Sequence, residues 1–216
     1  MKIAPSIIAA DFTKLKNEIE KIEKAGADLI HLDIMDGVFV PNITFGPMIV
    51  EAIYRMTDLE LDAHLMIVNP EKYFARFIQA GALWISFHIE TVTNVKKCIK
   101  IIKEKKCRAG IAVNPEISLR KILPFVKDLD FLLIMTVHPG FYGQKFIPEV
   151  LKKIEQARNF VDKNRLHCLI QVDGGINGEN ARIVKQAGAD ILVAGAGVFK
   201  TKDYKKAIEN LRCSRI

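Results

Sequence analysis

From Ile3 to Arg212 the sequence alternates short apolar runs with longer amphipathic ones, eight times over and without a break. The short runs have strand length and are rich in Ile, Val, Leu and Phe, whereas the long ones repeat apolar residues at three- and four-residue spacing. Strands read at 3–9, 29–35, 61–66, 83–89, 108–113, 131–137, 168–172 and 191–194. Helices read from a cap at Asp11 or Thr13 to 24, through 56, and over 70–79, 94–105, 118–127, 148–161, 179–186 and 203–212. A helix stop followed by a strand is written three times as a variant of Ala-Gly-Ala-Asp, at 25–28, 80–83 and 187–190. Strict alternation demands a parallel sheet, because each crossover helix returns the chain to the edge where the strand began. Eight such units close the sheet on itself, so the expected architecture is α/β, a (β/α)8 or TIM barrel forming one domain over 1–216. An open doubly wound sheet would carry G-x-G-x-x-G after its first strand, and none is present.

Half of the 216 residues are hydrophobic, which suits one large core, and no stretch resembles a linker. The opening residues 2–11 are apolar but short, interrupted by Pro5 and closed by Asp11, so they do not read as a signal peptide. No run is long enough to span a membrane. The four cysteines, Cys98, Cys107, Cys168 and Cys213, lie far apart with no C-x-x-C pair, so reduced thiols and a cytoplasmic location are expected. The net charge of +7 includes a dense basic run at 96–106, but Ile99, Ile101 and Ile102 recur there at helical spacing, which marks a solvated helix face. Without aromatic residues interleaved to stack on bases, no nucleic-acid partner is expected; the charge fits attraction of a small anionic substrate.

Within the second strand, His31, Asp33 and Met35 alternate with Leu32 and Ile34, so the three project together. A barrel gathers its chemistry at the C-terminal ends of its strands. Those ends carry Ser6, then His31, Asp33 and Met35, then His64 and Met66, then His88, then Asn114-Pro115. The last three end in the turn from His138 to Gln144, in Asp173-Gly174-Gly175, and in Gly195-Ala196-Gly197. Three imidazoles and two carboxylates thus converge on one mouth, at a desolvation cost that a purely structural barrel has no reason to bear. The glycine-rich ends of strands six to eight offer unobstructed backbone N–H groups, the usual phosphate cradle of the fold. His88 and His138 read as structural or supporting, Met35, Met66 and Met135 as fillers rather than metal ligands, and Trp84 as packing. Asp36 and Asp62 read as acceptors for loop amides or solvent.

The segments 4–7, 31–42, 64–66, Pro139-Gly140-Phe141 with Gly143-Gln144, and 172–175 closely resemble the ribulose-phosphate 3-epimerase family, in order and spacing over nearly the whole chain. The resemblance implies one divalent metal ion held by His31, Asp33, His64 and Asp173, with Asp33 and Asp173 as the catalytic acid and base. Two histidines and two carboxylates suit Zn2+, Fe2+, Mn2+ or Co2+. The implied partner is a small phosphorylated ketose, D-ribulose 5-phosphate, inverted at carbon 3 to D-xylulose 5-phosphate through a 2,3-enediolate. Ser6, His64, Met35 and Met66 would face the substrate, with Gly140, Phe141, Tyr142, Gly143, Gly174, Gly175, Gly195 and Ala196 toward its phosphate. A homo-oligomer is expected. Three residues depart from the family at the phosphate end: Tyr142 replaces a usual glycine, Ala196 a usual serine, and His138 an asparagine or glutamate. These keep six-carbon D-allulose 6-phosphate open as a substrate. A phosphosugar lyase on a related barrel would carry D-x-K-x-x-D, absent here, and a non-catalytic phosphosugar-binding barrel would not require both carboxylates and the histidines.

Overall fold

Eight parallel strands follow one another around a ring: β1 (Lys2–Pro5), β2 (Leu29–Met35), β3 (Glu60–Met66), β4 (Ala82–His88), β5 (Arg108–Val113), β6 (Phe131–Met135), β7 (Leu169–Asp173) and β8 (Ile191–Ala194). The ring closes where Ser6 bridges His31 in parallel, joining the end of β1 to β2. This is the (β/α)8 barrel, seen in a computed structural model that describes residues 1–213. The Cys213 side chain and residues 214–216 lie outside the described residues, and with them the expectation that Cys213 is reduced.

Alternation along each strand sorts the side chains into two cores. Outward residues such as Ile30, Leu32, Ile85, Phe87, Ile111 and Leu132 meet the apolar stripes of the helices. Those helices are α1 (Leu15–Lys24), α2 (Pro47–Tyr54), α3 (Phe74–Gln79), α4 (Val95–Glu104), α5 (Leu151–Lys163), α6 (Ala181–Gln186), α7 (Ala196–Phe199) and α8 (Tyr204–Cys213). Inward residues Ala4, Leu29, Trp84, Ala112, Phe131 and Leu133 fill the barrel from below. Trp84 and Phe131 meet edge to face with centroids 5.2 Å apart. Gly110 makes room for them, since a Cβ there would stand 2.4 Å from Phe131 Cζ.

The three Ala-Gly-Ala stops act alike: Gly26, Gly81 and Gly188 take φ of 87°, 106° and 107°, left-handed values that end α1, α3 and α6. At the N-terminal rim, acids that precede three strands each accept the amide of the second residue of a neighbouring strand. Asp28 takes Ile3 N–H, Asp130 takes Ala109 N–H and Asp190 takes Ile170 N–H, all at 2.8 Å. Register set at this rim carries along the strands to the opposite one, where the polar residues sit.

Two expectations are corrected. The first strand stops at Pro5, and Ile7–Ala9 form a 3₁₀ turn capped by the Ser6 hydroxyl, because proline has no N–H to continue the ladder. The helix expected at 118–127 is replaced by two 3₁₀ segments, Leu119–Lys121 and Leu123–Asp128. Pro124 cannot donate to Arg120 and its ring would strike that carbonyl. Cys98, Cys107 and Cys168 are buried free thiols. No helix among the described residues is long and apolar enough to cross a membrane.

Candidate active site

Parallel register sets His31 beside Asp62 and Asp33 beside His64 at the β2–β3 seam, and Met35 beside Met66 one step higher. Asp173 ends β7 opposite Met135 of β6. Imidazole and carboxylate atoms from these three strands, β2, β3 and β7, meet at one point. His31 Nε2 lies 3.5 Å from Asp33 Oδ1 and 3.8 Å from Asp173 Oδ2; His64 Nδ1 lies 3.6 Å and 4.0 Å from the same two oxygens. The four donor atoms all fall within 4.8 Å of one another. Both histidines are fully buried, and neither of these ring nitrogens has a hydrogen-bond partner.

Two buried nitrogens without hydrogen-bond partners, facing two carboxylate oxygens, form the donor set of a divalent transition-metal site. An ion with ligands at about 2.1 Å in a tetrahedron spaces them about 3.4 Å apart, and the four histidine–carboxylate separations lie just outside that. The charges of these groups act strongly on one another. Burial opposes the charged form of His31, but the carboxylates of Asp62 and Asp33 outweigh it and hold the imidazole well above its usual range. Burial would raise the Asp33 carboxyl as well, yet His31 and His64 beside it hold it below the usual carboxylate range. Burial and the Asp33 charge push Asp173 up to about 7. Burial pulls His64 down, and His88 further.

Each histidine is gripped from behind. His31 Nδ1 meets Asp62 Oδ2 at 2.7 Å, and the same oxygen accepts Gln171 Nε2–H at 2.5 Å. Asp62 is fully buried, so its reading as an acceptor for loop amides or solvent is wrong: it orients His31 through a buried ion pair. The period of two in β3 carries the missing signal, since Asp62 and His64 share an inward face. Ligation of a metal through His64 Nδ1 requires the ring hydrogen on Nε2, which then donates to His88 Nε2 at 2.8 Å. His88 is thus a supporting residue, as expected. Asp36 also behaves as expected, accepting the amides of Val38, Phe39 and Val68. Ser6 donates its hydroxyl to Asp33 Oδ2, and Thr44 donates to the Asp33 carbonyl at 2.6 Å.

Above these four side chains opens a cavity of about 200 Å³. Asp33 and Asp173 reach its floor with Ser6, Met35 and Met66, while His31 and His64 stay beneath it. Its far end is walled by Gly140, Phe141, Tyr142 and Gly143 after β6, Gly174 and Gly175 after β7, and Gly195 and Ala196 after β8. Every residue expected to face the substrate therefore lines the cavity except His64. Met135, read as a filler, also reaches the cavity wall. Gly175, at φ 65°, leaves no space for a side chain, since a Cβ would stand 2.6 Å from Phe146 N. Among the described residues, the N–H groups of Gly175, Gly195 and Ala196 donate to no backbone carbonyl. His138 stays outside the cavity, exposed and 3.4 Å from Glu116.

The model of the ribulose-phosphate 3 epimerase family matches residues 2–199. The chain belongs to that family. It is 50% identical over 216 residues to the ribulose-phosphate 3-epimerase of Bacillus subtilis (strain 168), covering 100% of both chains. Against the chloroplastic ribulose-5-phosphate-3-epimerase of Arabidopsis thaliana it is 44% identical over 215 residues, 99% of this chain and 76% of the other. Among solved structures, the 3-hexulose-6-phosphate synthase of Salmonella typhimurium superposes with a TM-score of 0.72 at 16% identity, covering 98% and 96% of the two chains. That likeness is one of barrel fold alone. The epimerase family is an isomerase family acting on phosphorylated sugars, and the His31, Asp33, His64 and Asp173 cluster could hold a divalent ion.

Proposed function

We propose that this chain interconverts D-ribulose 5-phosphate and D-xylulose 5-phosphate by moving a proton at carbon 3. The observation that carries the reading is the pair of carboxylates, Asp33 and Asp173, brought from different strands to one cavity floor beside two imidazole nitrogens without hydrogen-bond partners. A proton next to a ketone is far less acidic than a carboxylic acid, so its removal needs positive charge beside the oxygens that become an enediolate. A divalent ion held by His31, Asp33, His64 and Asp173 supplies that charge; the mixed nitrogen and oxygen donors suit Zn2+, Fe2+, Mn2+ or Co2+.

The protein supplies the proton transfers. One aspartate, as the carboxylate, takes the proton from one face of carbon 3 and the other, as the carboxylic acid, returns a proton to the opposite face, and the two exchange roles when the reaction runs backward. The Ser6 hydroxyl, donating to Asp33 Oδ2, keeps that carboxylate turned toward the cavity. Met35 and Met66 cover the reacting carbons with apolar surface that excludes water. The free amides of Gly175, Gly195 and Ala196 and the loop 140–143 hold the phosphate, so binding energy remote from carbon 3 orients the sugar.

Purified protein incubated with ribulose 5-phosphate should form xylulose 5-phosphate, lose that activity on dialysis against a strong chelator, and regain it with one of the four ions. Full activity in metal-free protein would overturn the reading. Tyr142 and Ala196 favour a second substrate as a comparison, and allulose 6-phosphate turning over with the higher kcat/KM would reassign the enzyme to the six-carbon sugar.

A further inference from the structure

Strands β2 and β6 stand four places apart in a ring of eight and so face each other across the barrel. The loops that leave them nevertheless touch over the mouth. Asn42, after β2, donates its Nδ2–H to the carbonyl of Gly140, after β6, at 2.8 Å, and this is the one hydrogen bond between the two loops among the described residues. Beside it, Pro41 and Val40 press against Gly140: a Cβ there would stand 3.3 Å from Pro41 Cδ and 3.7 Å from Val40 Cβ.

Both partners are braced independently of the bridge. Asn42 Oδ1 accepts the Ile43 amide at 2.9 Å, which points Nδ2 outward, and its carbonyl accepts Gly37 N–H at 2.8 Å. The β6 loop is folded on itself by Gln144, whose Nε2 donates to the carbonyls of His138 and Phe141 at 2.6 and 2.9 Å. Two self-supporting loops joined by a single hydrogen bond make a span that can part without unfolding either side. The residues of the β6 span, 140–143, also wall the phosphate end of the cavity.

We propose that Asn42 is the latch of the mouth, a positioning residue that holds the β6 loop shut across the barrel and so sets how readily the cavity opens to its phosphorylated ligand. The proposal rests on this cavity being the reaction site, and its first measurement is made without substrate so that the two stand apart. Two variants separate the latch from the local turn. Asn42→Asp keeps an oxygen for the Ile43 amide and removes the donor to Gly140, whereas Asn42→Ala removes both.

In metal-loaded protein without sugar, amide hydrogen exchange over 138–144 is expected to quicken roughly three- to tenfold in both variants, the factor one neutral hydrogen bond contributes. Metal content and melting temperature should stay native. In the epimerase assay kcat should hold or rise, because opening of the span precedes product release. Native exchange in Asn42→Asp, whatever Asn42→Ala does, would show that the Ile43 turn is the whole role of the residue. A fall in kcat with metal retained would place Asn42 in the chemistry and also overturn the proposal. Inactive native enzyme alongside quickened loop exchange would refute the reading of function and leave the latch in place.

Discussion

Replacing Asp62 by asparagine tests whether the grip on His31 is what readies the site for its ion. One buried oxygen, Asp62 Oδ2, accepts both His31 Nδ1–H at 2.7 Å and Gln171 Nε2–H at 2.5 Å. An asparagine oxygen can occupy the same place, but the bond to His31 changes from charge-assisted to neutral, a loss of about 1–2 kcal/mol. Metal affinity should therefore fall roughly five- to thirtyfold, with kcat recovered when the ion is in excess. The pH dependence supplies a second readout. His31 has its folded pKa raised by Asp62 and Asp33 against the effect of burial. Its imidazolium therefore stabilises the metal-free protein fully below the unfolded value of about 6.5, and that stability fades as pH rises through the higher folded value. Binding an ion requires Nε2 bare, so uptake expels that proton together with part of the one on Asp173, whose carboxyl burial and the Asp33 charge push up to about 7. Between one and two protons should leave per ion at pH 7 in the native protein, and fewer in Asp62→Asn. Competition titration against a chelator in weakly buffered solution reads both quantities. Native affinity and native proton release in the variant would refute the orienting role.

The other perturbations are simpler. Asp33→Asn and Asp173→Asn should each lower kcat by orders of magnitude, since an amide cannot accept the carbon-bound proton; metal content measured alongside decides whether a variant that keeps its ion and near-native turnover removes that residue from proton transfer. Tyr142 lines the far end of the cavity with its ring 5.6 Å from Lys200 Nζ. If its hydroxyl replaces the donor missing at Ala196, Tyr142→Phe should raise KM for the phosphorylated sugar roughly tenfold or more and leave the unphosphorylated one unchanged; unchanged constants for both would remove the hydroxyl from phosphate binding. Gly110→Ala would drive a methyl group into the Phe131 ring and should destabilise the barrel by about 1–3 kcal/mol, seen as a lower melting temperature with the metal site intact.

The barrel and most of its chemistry were legible in the sequence for one reason: a strand has a period of two. Alternation in 29–35 was enough to place His31, Asp33 and Met35 on one face, and strict strand–helix succession was enough to bring strand ends to a common mouth. Local backbone chemistry was legible too, in the three glycine stops at Gly26, Gly81 and Gly188. Where local rules competed, the reading failed: Pro5 and Pro124 overrode apolar patterns that pointed to a longer strand and a regular helix. What only the tertiary structure decided depends on relative register between strands. Asp62 becomes the partner of His31 because β2 and β3 pair at that offset, and a slip of one residue would have turned it to the opposite face. The contact of Asn42 with Gly140 depends on the closure of the ring, which brings residues 98 apart in sequence to hydrogen-bond distance across the mouth. No pattern within either loop encodes that meeting, because neither loop determines where the opposite side of the barrel lies.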